Sequence, residues 1–300
     1  MKDYKDIWDN LSTNFDNAAF HVCCVSDEDE IRSNGQLTAD FLKQVLQITP
    51  EDRVLEIGCG VARIGRELAP FCGEWHGADI SGNMIEHAKE RTQDVLNVFL
   101  HELPDSSLSI FPDGYFDCVY SSIVFMHLDK IDMFTYIRDA YRVLAPGGRA
   151  YFDTYNLLAP EAWQEFLKTL DEFPPDHRPG HVSQFSTPQE MRKFMEEAGF
   201  EEVHVDGENS PQLVLALGRK PGVLGAERPP FALSSLPGDK RERRTARLSQ
   251  KQYIEHLEKT VALKNEHIDK MERLVRRQEK AIARLSATFS QRIRRALTRK

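Results

Sequence analysis

Apolar positions along the chain alternate between two spacings, and this alternation predicts a sheet with helices on both faces. Short apolar runs typical of strands lie at 53–59, 74–80, 95–103, 116–125 and 149–155. Apolar residues at helical spacing occur between them, at 63–71, 81–92 and 132–144. Strands that alternate with helices are typical of a parallel sheet with crossover connections. We therefore predict an α/β fold with a Rossmann-like, doubly wound, mostly parallel sheet of seven strands.

The end of this region departs from strict alternation. A helical pattern over 188–200 is followed by two strand patterns, at 201–207 and 211–220, with no helix between them. Because two strands joined by a short turn run in opposite directions, we expect the last strand to pair antiparallel.

Other segments flank or interrupt the alternation. Residues 1–50 are polar with helical spacing and are predicted to form an N-terminal helical cap on a domain that spans 1–220. Residues 153–187 separate a strand from the next helix, and long insertions at the edge of a sheet often cover a substrate, so this segment is predicted to be a lid. Residues 221–247 are rich in Pro, Gly and Ser, which indicates a linker.

Residues 248–300 have apolar positions at heptad spacing. One seam consists of Ile254, Val261, Ile268, Val275, Ile282 and Phe289, and the other of Leu257, Lys264, Met271, Gln278 and Leu285. β-branched residues along the first seam favour a parallel, two-stranded coiled coil, so a homodimer or another oligomer is expected. A single amphipathic helix that folds back on the domain is the alternative.

The charge is divided unequally along the chain. Residues 1–239 contain 20 Lys+Arg against 40 Asp+Glu, a net charge of -20, whereas residues 240–300 contain 19 against 7, a net charge of +12. The acidic body argues against nucleic acid as a partner. The basic tail suits self-association or an anionic membrane surface, and it has few aromatic residues to stack on bases.

The cellular setting is inferred from the cysteines and from the first residues. The five cysteines, at positions 23, 24, 59, 72 and 118, include no CxxC pair, so we expect neither a zinc site nor a disulfide framework. The opening "MKDYKDIWDN" has no apolar run, and no secretory leader or membrane span is expected. A reducing, cytoplasmic location follows as an expectation.

The stretch "VLEIGCGVAR" carries the candidate chemistry. Gly58 and Gly60 follow a predicted strand and would allow a tight turn and a close approach of a ligand to the backbone. A dinucleotide site usually has G-x-G-x-x-G, and the third glycine of that pattern is Arg63 here. Glu56 would repel a pyrophosphate but could hold an amino group. Asp79 ends the next strand, where a carboxylate can accept both hydroxyls of a ribose.

At this point the sequence resembles the class I S-adenosylmethionine-dependent methyltransferases, over about residues 35–220. "LEIGCGVAR" is similar to the family's E-x-G-x-G-x-G motif, with Ala62 in place of the third glycine. "GADIS" matches the strand that ends in the ribose-binding acid. "FPDGYFDCVYSSIVFMHL" and "AYRVLAPGGRAYF" resemble the fourth strand and the helix, turn and strand that follow.

The resemblance implies a cofactor, S-adenosylmethionine, and a set of residues that bind it. That set comprises Glu56, Gly58, Cys59, Gly60, Asp79, Ile80, Met84 and Ser121. Glu56 would lie near the amino group, Asp79 on the ribose, Ile80 and Met84 near the adenine, and Ser121 at the methionine moiety. For the contact to the adenine amine, Glu102, Asp105 and Ser106 remain alternatives. No metal is expected.

The best candidate for a catalytic base is His127, which follows the fourth strand at the edge where ligands bind in such sheets. Other candidates lie in or beside the insertion or in the N-terminal helices: His181, Asp153, Tyr155, Trp8, Phe20 and His21. We expect methyl transfer to a hydroxyl, or else an amine, of a small molecule or glycan. The alternatives are a coiled-coil scaffold with a relic fold and an NAD-dependent or nucleotide-sugar oxidoreductase.

Overall fold

A computed structural model describes residues 4–23, 25, 27–174, 178–208, 210 and 212–223. All of them belong to the first of two compact units, Met1–Ala246, and the second unit is Arg247–Lys300. The predicted coiled coil at 248–300 and the linker from residue 224 onward lie outside the described residues.

A single sheet forms the centre of the described unit. Its strands in chain order are β1 Arg53–Ile57, β2 Glu74–Asp79, β3 Val98–Glu102, β4 Phe116–Ser121, β5 Leu144–Asn156, β6 Phe185–Ser186, β7 Glu201–Asp206 and β8 Leu213–Arg219. Their spatial order is β3-β2-β1-β4-β5-β8-β7, and β6 pairs with β5 outside this row.

The direction of the strands confirms a Rossmann-like, mostly parallel sheet. The β1 to β5 pairings are parallel, whereas β8 pairs antiparallel with both β5 and β7. The predicted number of seven strands is wrong, because the sheet has eight. The additional strand, β6, is only two residues long and lies within the predicted insertion, and so short a segment has no periodicity that a sequence pattern could show.

Eight helices of the described unit precede the sheet, connect its strands or cover its faces. They are α1 Tyr4–Leu11, α2 Phe15–Cys23, α3 Glu28–Val45, α4 Gly65–Leu68, α5 Gly82–Thr92, α6 Lys130–Val143, α7 Pro160–Glu172 and α8 Pro188–Ala198. No helix among these described residues is both long and apolar enough to span a membrane.

The central strands are apolar because both of their faces are covered. The β4 strand is buried along its whole length, and β1 is buried at every position after Arg53. Strands that lie between two helical layers cannot alternate polar with apolar residues, since neither face reaches water. The polar residues that do occur in these strands, such as Glu56 and Asp117, therefore have partners within the protein.

The parallel register brings the ends of β1, β2 and β4 to one edge. Glu56 pairs with Gly77 of β2 on one side and with Tyr120 of β4 on the other. The turns after Ile57, Asp79 and Ser121 consequently lie side by side, where ligands bind in open α/β sheets.

Candidate functional site

A cleft of about 710 Å³ opens at this edge of the sheet. Its lining comes from the turns after the first four strands, from α1 and α2, and from the segment between β4 and α6. The lining residues are Tyr4, Trp8, His21, Val22, Ile57, Gly58, Gly60, Asp79, Ile80, Met84, Leu103, Ser106, Ser122, Ile123, Val124, His127, Leu128 and Tyr136.

The glycine turn after β1 presents bare backbone to this cleft. Gly58 and Gly60 have φ values of +70° and +51°, a region that side chains with a Cβ rarely adopt. A Cβ on Gly58 would lie 2.5 Å from Cγ2 of Val124, and one on Gly60 would lie 2.8 Å from Cγ2 of Val22. The two glycines therefore form a cradle that any side chain would fill.

Asp79 at the end of β2 links this turn to the next one. Its carboxylate accepts the backbone N–H of Gly60 on Oδ2 and that of Ser81 on Oδ1, both at 2.9 Å. Burial raises the pKa of Asp79 to about 6, although the backbone hydrogen bonds oppose the shift. Each carboxylate oxygen has a second lone pair, so Asp79 can still accept hydrogen bonds from a ligand in the cleft.

Glu56 lies in β1 behind the glycine turn and does not line the cleft. Tyr120 donates its hydroxyl hydrogen to Oε2 of Glu56 at 2.7 Å. Burial raises the pKa of Glu56 to about 8, which the Tyr120 hydrogen bond and the charge of Arg63 partly offset. The guanidinium of Arg63 donates to the side chains of Asn34 and Thr38 in α3, so it is held away from the cleft.

The remaining predicted cofactor residues divide into two groups. Ile80 and Met84 line the cleft, whereas Cys59 and Ser121 do not. Cys59 is buried, and burial raises the pKa of its thiol well above the usual value. The Ser121 hydroxyl donates to the carbonyl of Ile57 at 3.1 Å and so joins β4 to β1.

The loop after β3 left three alternatives for an adenine contact, and the structure separates them. Ser106 lines the cleft, while Glu102 and Asp105 do not. Glu102 instead forms an ion pair with Lys5 of α1. Ser106 is thus the polar side chain that this loop presents to a ligand.

The predicted base His127 lies in a 3-10 turn, Phe125–His127, and lines the cleft. Its Nδ1 is 3.0 Å from the carbonyl oxygen of His181. A carbonyl can only accept, so Nδ1 carries the proton and Nε2 carries the lone pair. Burial lowers the pKa of His127 to about 4, which keeps the ring neutral at neutral pH.

The N-terminal helices cover this part of the cleft. The indole of Trp8 meets the His127 ring edge to face, with 5.0 Å between the centroids. His21 also lines the cleft, whereas Phe20 is 56% exposed and faces away from it. Asp9 accepts the hydroxyl hydrogen of Ser81 at 2.6 Å, which ties α1 to the start of α5.

Two candidates from the predicted insertion belong to β5 instead. That strand runs to Asn156, so Asp153 and Tyr155 are strand residues. Asp153 is buried and accepts hydrogen bonds from Ser122 Oγ and the Ile123 N–H, while the Tyr155 ring stacks on Phe185. Neither side chain lines the cleft.

Sequence reasoning missed several residues of the lining. Tyr4 and Val22 come from the N-terminal helices, and their helical spacing does not show which face is covered. Ile123 and Val124 follow β4 in an apolar run and look like ordinary core residues. The φ of +62° at Ile123 shows that the backbone turns toward the cleft at this residue. Because β-branched residues rarely adopt a positive φ, the sequence does not predict this turn.

The cleft has the chemistry that S-adenosylmethionine requires. The glycine cradle leaves room for the methionine portion, and Asp79 offers acceptors for ribose hydroxyls. Ile80, Met84 and Leu103 supply apolar contacts for an adenine ring. Residues of all three kinds line one cleft, so the described residues fit this cofactor.

Comparison with known families agrees with this geometry. Residues 54–148 match the family model of a methyltransferase domain. The match begins in β1 and ends within β5, and it includes the glycine turn, Asp79 and His127. The predictions of a methyltransferase and of S-adenosylmethionine as its cofactor are confirmed for this domain.

Individual relatives match only part of this chain. The chain is 30% identical over 140 residues to phosphoethanolamine N-methyltransferase 1 of Zea mays, covering 46% of this chain and 27% of that protein. It is 27% identical over 175 residues to the ubiquinone/menaquinone biosynthesis C-methyltransferase of Vibrio cholerae, covering 51% and 65%. Two phosphoethanolamine N-methyltransferases of Arabidopsis thaliana are matched over 25% and 24% of their lengths, so the chain spans about a quarter of these plant relatives.

A solved structure shows the same fold. Magnesium protoporphyrin IX methyltransferase from Synechocystis PCC 6803, with bound S-adenosylhomocysteine, superposes with a TM-score of 0.53 at 19% identity. The alignment covers 72% of this chain and 98% of the other. At this identity the likeness concerns the fold alone.

Proposed function

We propose that this protein transfers the methyl group of S-adenosylmethionine to a hydroxyl oxygen of a small molecule or glycan. The observation that supports the proposal is that the glycine turn, Asp79 and His127 line one cleft. The cofactor elements and a neutral imidazole with a lone pair on Nε2 therefore face the same space.

Different residues of the cleft would bind different parts of S-adenosylmethionine. Asp79 would accept hydrogen bonds from the ribose hydroxyls, Gly58 and Gly60 would lie beside the methionine portion, and Ile80 and Met84 would pack on the adenine. When bound, S-adenosylmethionine supplies an electrophilic methyl group on a sulfonium sulfur. Glu56 and Ser121 act from behind the lining, because they fix the backbone of β1 and its neighbour β4.

His127 activates the acceptor. Its Nε2 would take the proton of the acceptor hydroxyl, and S-adenosylmethionine, as the methyl donor, would leave as S-adenosylhomocysteine with a methyl ether as the other product. A positioned base of this kind contributes about 10²- to 10⁴-fold to such a rate. Alignment of the acceptor oxygen behind the methyl group is the second requirement.

An amine acceptor is the alternative, because a neutral amine needs no base. Phosphoethanolamine, which the names of the plant relatives specify, would be such an acceptor. It would also bring a phosphate into the cleft, and a buried phosphate needs cationic partners.

Calorimetric titration of the full chain with S-adenosylmethionine and S-adenosylhomocysteine tests the cofactor site. We expect micromolar binding to the wild type and at least about a ten-fold weaker affinity for Asp79→Asn, since one or two charge-assisted hydrogen bonds are weakened. Asp105→Asn, in the neighbouring loop but outside the lining, is the matched control and should bind as the wild type does.

The same titration separates the alternative functions. NAD is titrated in the same way. Tighter binding of NAD than of either S-adenosylmethionine or S-adenosylhomocysteine would establish the oxidoreductase. No binding of any of the three would contradict an enzyme of either kind and would favour a scaffold whose coiled coil is the functional part.

We also propose that residues 248–300 form a homodimeric coiled coil, on the strength of the heptad pattern in the sequence. Ile268→Lys in the full chain places a charge in the middle of the β-branched seam. Light scattering should show a dimer for the wild type and a monomer for this variant. Lys270→Glu, outside both seams, should leave the dimer intact.

A further inference from the structure

The lining of the cleft is almost free of charge. Among its described residues there is no Lys or Arg, and Asp79 is the sole carboxylate. An anionic group on the methyl acceptor would lose its hydration on entering this cleft and would meet no Lys or Arg side chain of the lining, which is unfavourable.

Three cations on segments that flank the cleft are engaged elsewhere. Lys5 pairs with Glu102, and Arg63 donates to α3. Lys130 donates to Ser186 Oγ at 2.6 Å and to Glu190 Oε2 at 2.9 Å. Turning any of these side chains toward an anion in the cleft would break contacts that they already make.

Two histidines on this side, His127 and His181, do not replace these cations. Burial lowers the pKa of both His127 and His181 below the ordinary value of histidine. His127 also donates its Nδ1 proton to the carbonyl oxygen of His181. Both rings are therefore neutral near pH 7, where a phosphate or carboxylate ligand would need them charged.

The walls beside His127 are instead aromatic and aliphatic. Trp8 packs on the imidazole, and Tyr4 and Leu128, which belong to the same apolar cluster as Trp8, also line the cleft. The Tyr4 hydroxyl is 3.0 Å from the backbone N of Asp129, which donates to it and fixes the ring. Rings held in this way offer apolar area and stacking to a ligand rather than ionic contacts.

We propose that the methyl acceptor is a phenol-like molecule, with an aromatic body that packs beside Trp8, an acidic hydroxyl at Nε2 of His127, and no phosphate or carboxylate. This inference rests on the proposed function and narrows it. A neutral imidazole of low basicity supports it, because such a base accepts a proton far more easily from a phenol than from an alkyl or sugar hydroxyl. The phenolic group of tyrosine, for example, has an ordinary pKa of about 10.

The test compares phenol with its phosphate ester, in which an anionic phosphoryl group replaces the hydroxyl hydrogen. Phenol and phenyl phosphate are titrated into the full chain saturated with S-adenosylhomocysteine, and phosphoethanolamine is titrated in the same way. We expect phenol to bind with an affinity at least about ten-fold higher than either phosphate compound, since a buried anion without a partner costs more than 1.4 kcal/mol. Equal or tighter binding of either phosphate compound, or no saturable binding of phenol, would overturn the proposal.

A gain of charge provides an independent test. Val22→Arg places a guanidinium in the lining and should raise the affinity for phenyl phosphate by about ten-fold or more, because an arginine–phosphate pair is then available. Phe20→Arg adds the same charge to the exposed side of α2 and should change neither affinity. Unchanged affinity for phenyl phosphate in Val22→Arg, with S-adenosylhomocysteine still bound, would count against the proposal.

These results are distinguishable from failure of the proposed function itself. Binding of S-adenosylhomocysteine is measured first and without any acceptor. If it binds and the phosphate compounds are preferred, only the inference about the acceptor is overturned. If it does not bind, the methyltransferase proposal fails and this inference fails with it.

Discussion

The buried carboxylate of Asp153 accepts the backbone N–H of Ile123 at 2.6 Å, and Ile123 has a left-handed φ of +62°. Ser122 Oγ and the Tyr151 hydroxyl donate to the other carboxylate oxygen, at 2.8 and 2.9 Å. A β-branched residue in this conformation is strained, and surrounding contacts must hold it there. Because Ile123 lines the cleft, a residue of β5 that does not line it shapes the acceptor side.

Removing the Asp153 carboxylate should lower the free energy of unfolding by an amount that depends on whether residue 123 is isoleucine or glycine. Asp153→Ala leaves the Ile123 N–H without its acceptor, and we expect a loss of about 2–3 kcal/mol in the free energy of unfolding. In an Ile123→Gly background the same change should cost about 1 kcal/mol more, since loss of the carboxylate lets Ile123 relax part of its strain, whereas glycine has no such strain to release. Urea unfolding of the four proteins measures this coupling.

Asp153→Asn is the conservative control for that cycle. Its side-chain oxygen can still accept the Ile123 N–H, so most of the stability should return. Additive costs of Asp153→Ala and Ile123→Gly would show that the carboxylate does not hold the strained residue.

His127→Gln should reduce methyl transfer without weakening the binding of the cofactor product. We expect a rate about 10²- to 10⁴-fold lower, with the dissociation constant of S-adenosylhomocysteine within about three-fold of the wild type, because the base acts on the acceptor only. Transfer of a radioactive methyl group to phenol provides the rate. His204→Gln in β7, which is outside the lining, should retain the full rate.

The pH dependence of the wild type gives a further check on His127. The pKa of this imidazole is lowered to about 4, and the neutral form is the active base. Protonation of His127 should therefore not reduce the rate between about pH 6 and 8 and should reduce it only as the pH falls toward the lowered pKa. A halving near pH 6.5 of the rate measured at saturating S-adenosylmethionine, where protonation of Asp79 does not limit cofactor binding, would contradict the lowered pKa of His127.

Glu56→Gln should stabilise the fold in neutral and alkaline solution. Burial raises the pKa of Glu56 from 4.5 to about 8, so the folded chain binds this proton more tightly than the unfolded chain does. The wild type therefore loses stability relative to the variant as the pH rises from about 4.5 to 8, and the difference is constant above that. It should reach a few kcal/mol at pH 8, at roughly 1.4 kcal/mol for each pKa unit.

Chemical unfolding of both proteins at pH 4.5, 6 and 8 measures this difference. A glutamine can still accept the Tyr120 hydroxyl, so the packing around β1 is retained. A constant difference across the pH range would show that Glu56 titrates normally in the folded chain.

Ala62→Gly should stabilise the turn that precedes α4. Ala62 has a φ of +54°, which costs an alanine about 1–2 kcal/mol and costs a glycine little. The greater freedom of glycine in the unfolded chain offsets part of this, so we expect a net gain of about 0.5–1 kcal/mol. Ala88→Gly within α5 is the matched control and should lose about 1 kcal/mol. Destabilisation by both changes would contradict the strain at Ala62.

Several features of the site could be read from the sequence because they depend on local chemistry. Gly58 and Gly60 mark a turn that needs positive φ, and the acid at the end of β2 is a property of position along one strand. Since parallel strands end at a common edge, Asp79 and His127 were expected at the same edge of the sheet, and both line the cleft there.

The direction in which buried polar side chains point was not readable in this way. Glu56, Arg63 and Asp153 lie in or next to segments whose ends form the cleft, yet none of them lines it. Each forms a hydrogen bond with a residue of another segment instead: Glu56 with Tyr120, Arg63 with Asn34, and Asp153 with Ile123. The direction of each side chain depends on which residue, distant in the sequence, supplies a hydrogen-bond partner in the protein interior. The sequence around one position does not show which residue that is.

The sequence by itself determined the parallel sheet, the antiparallel last strand and the glycine-turn motif, because periodicity and backbone freedom are local properties. Only the tertiary structure decided that α1 and α2 cover the cleft, that Ile123 is held in a left-handed conformation, and that the lining lacks a cation among its described residues. The physical reason is that burial, which sets both the neutrality of His127 and the cost of an anionic ligand, arises from residues that are far apart in the chain.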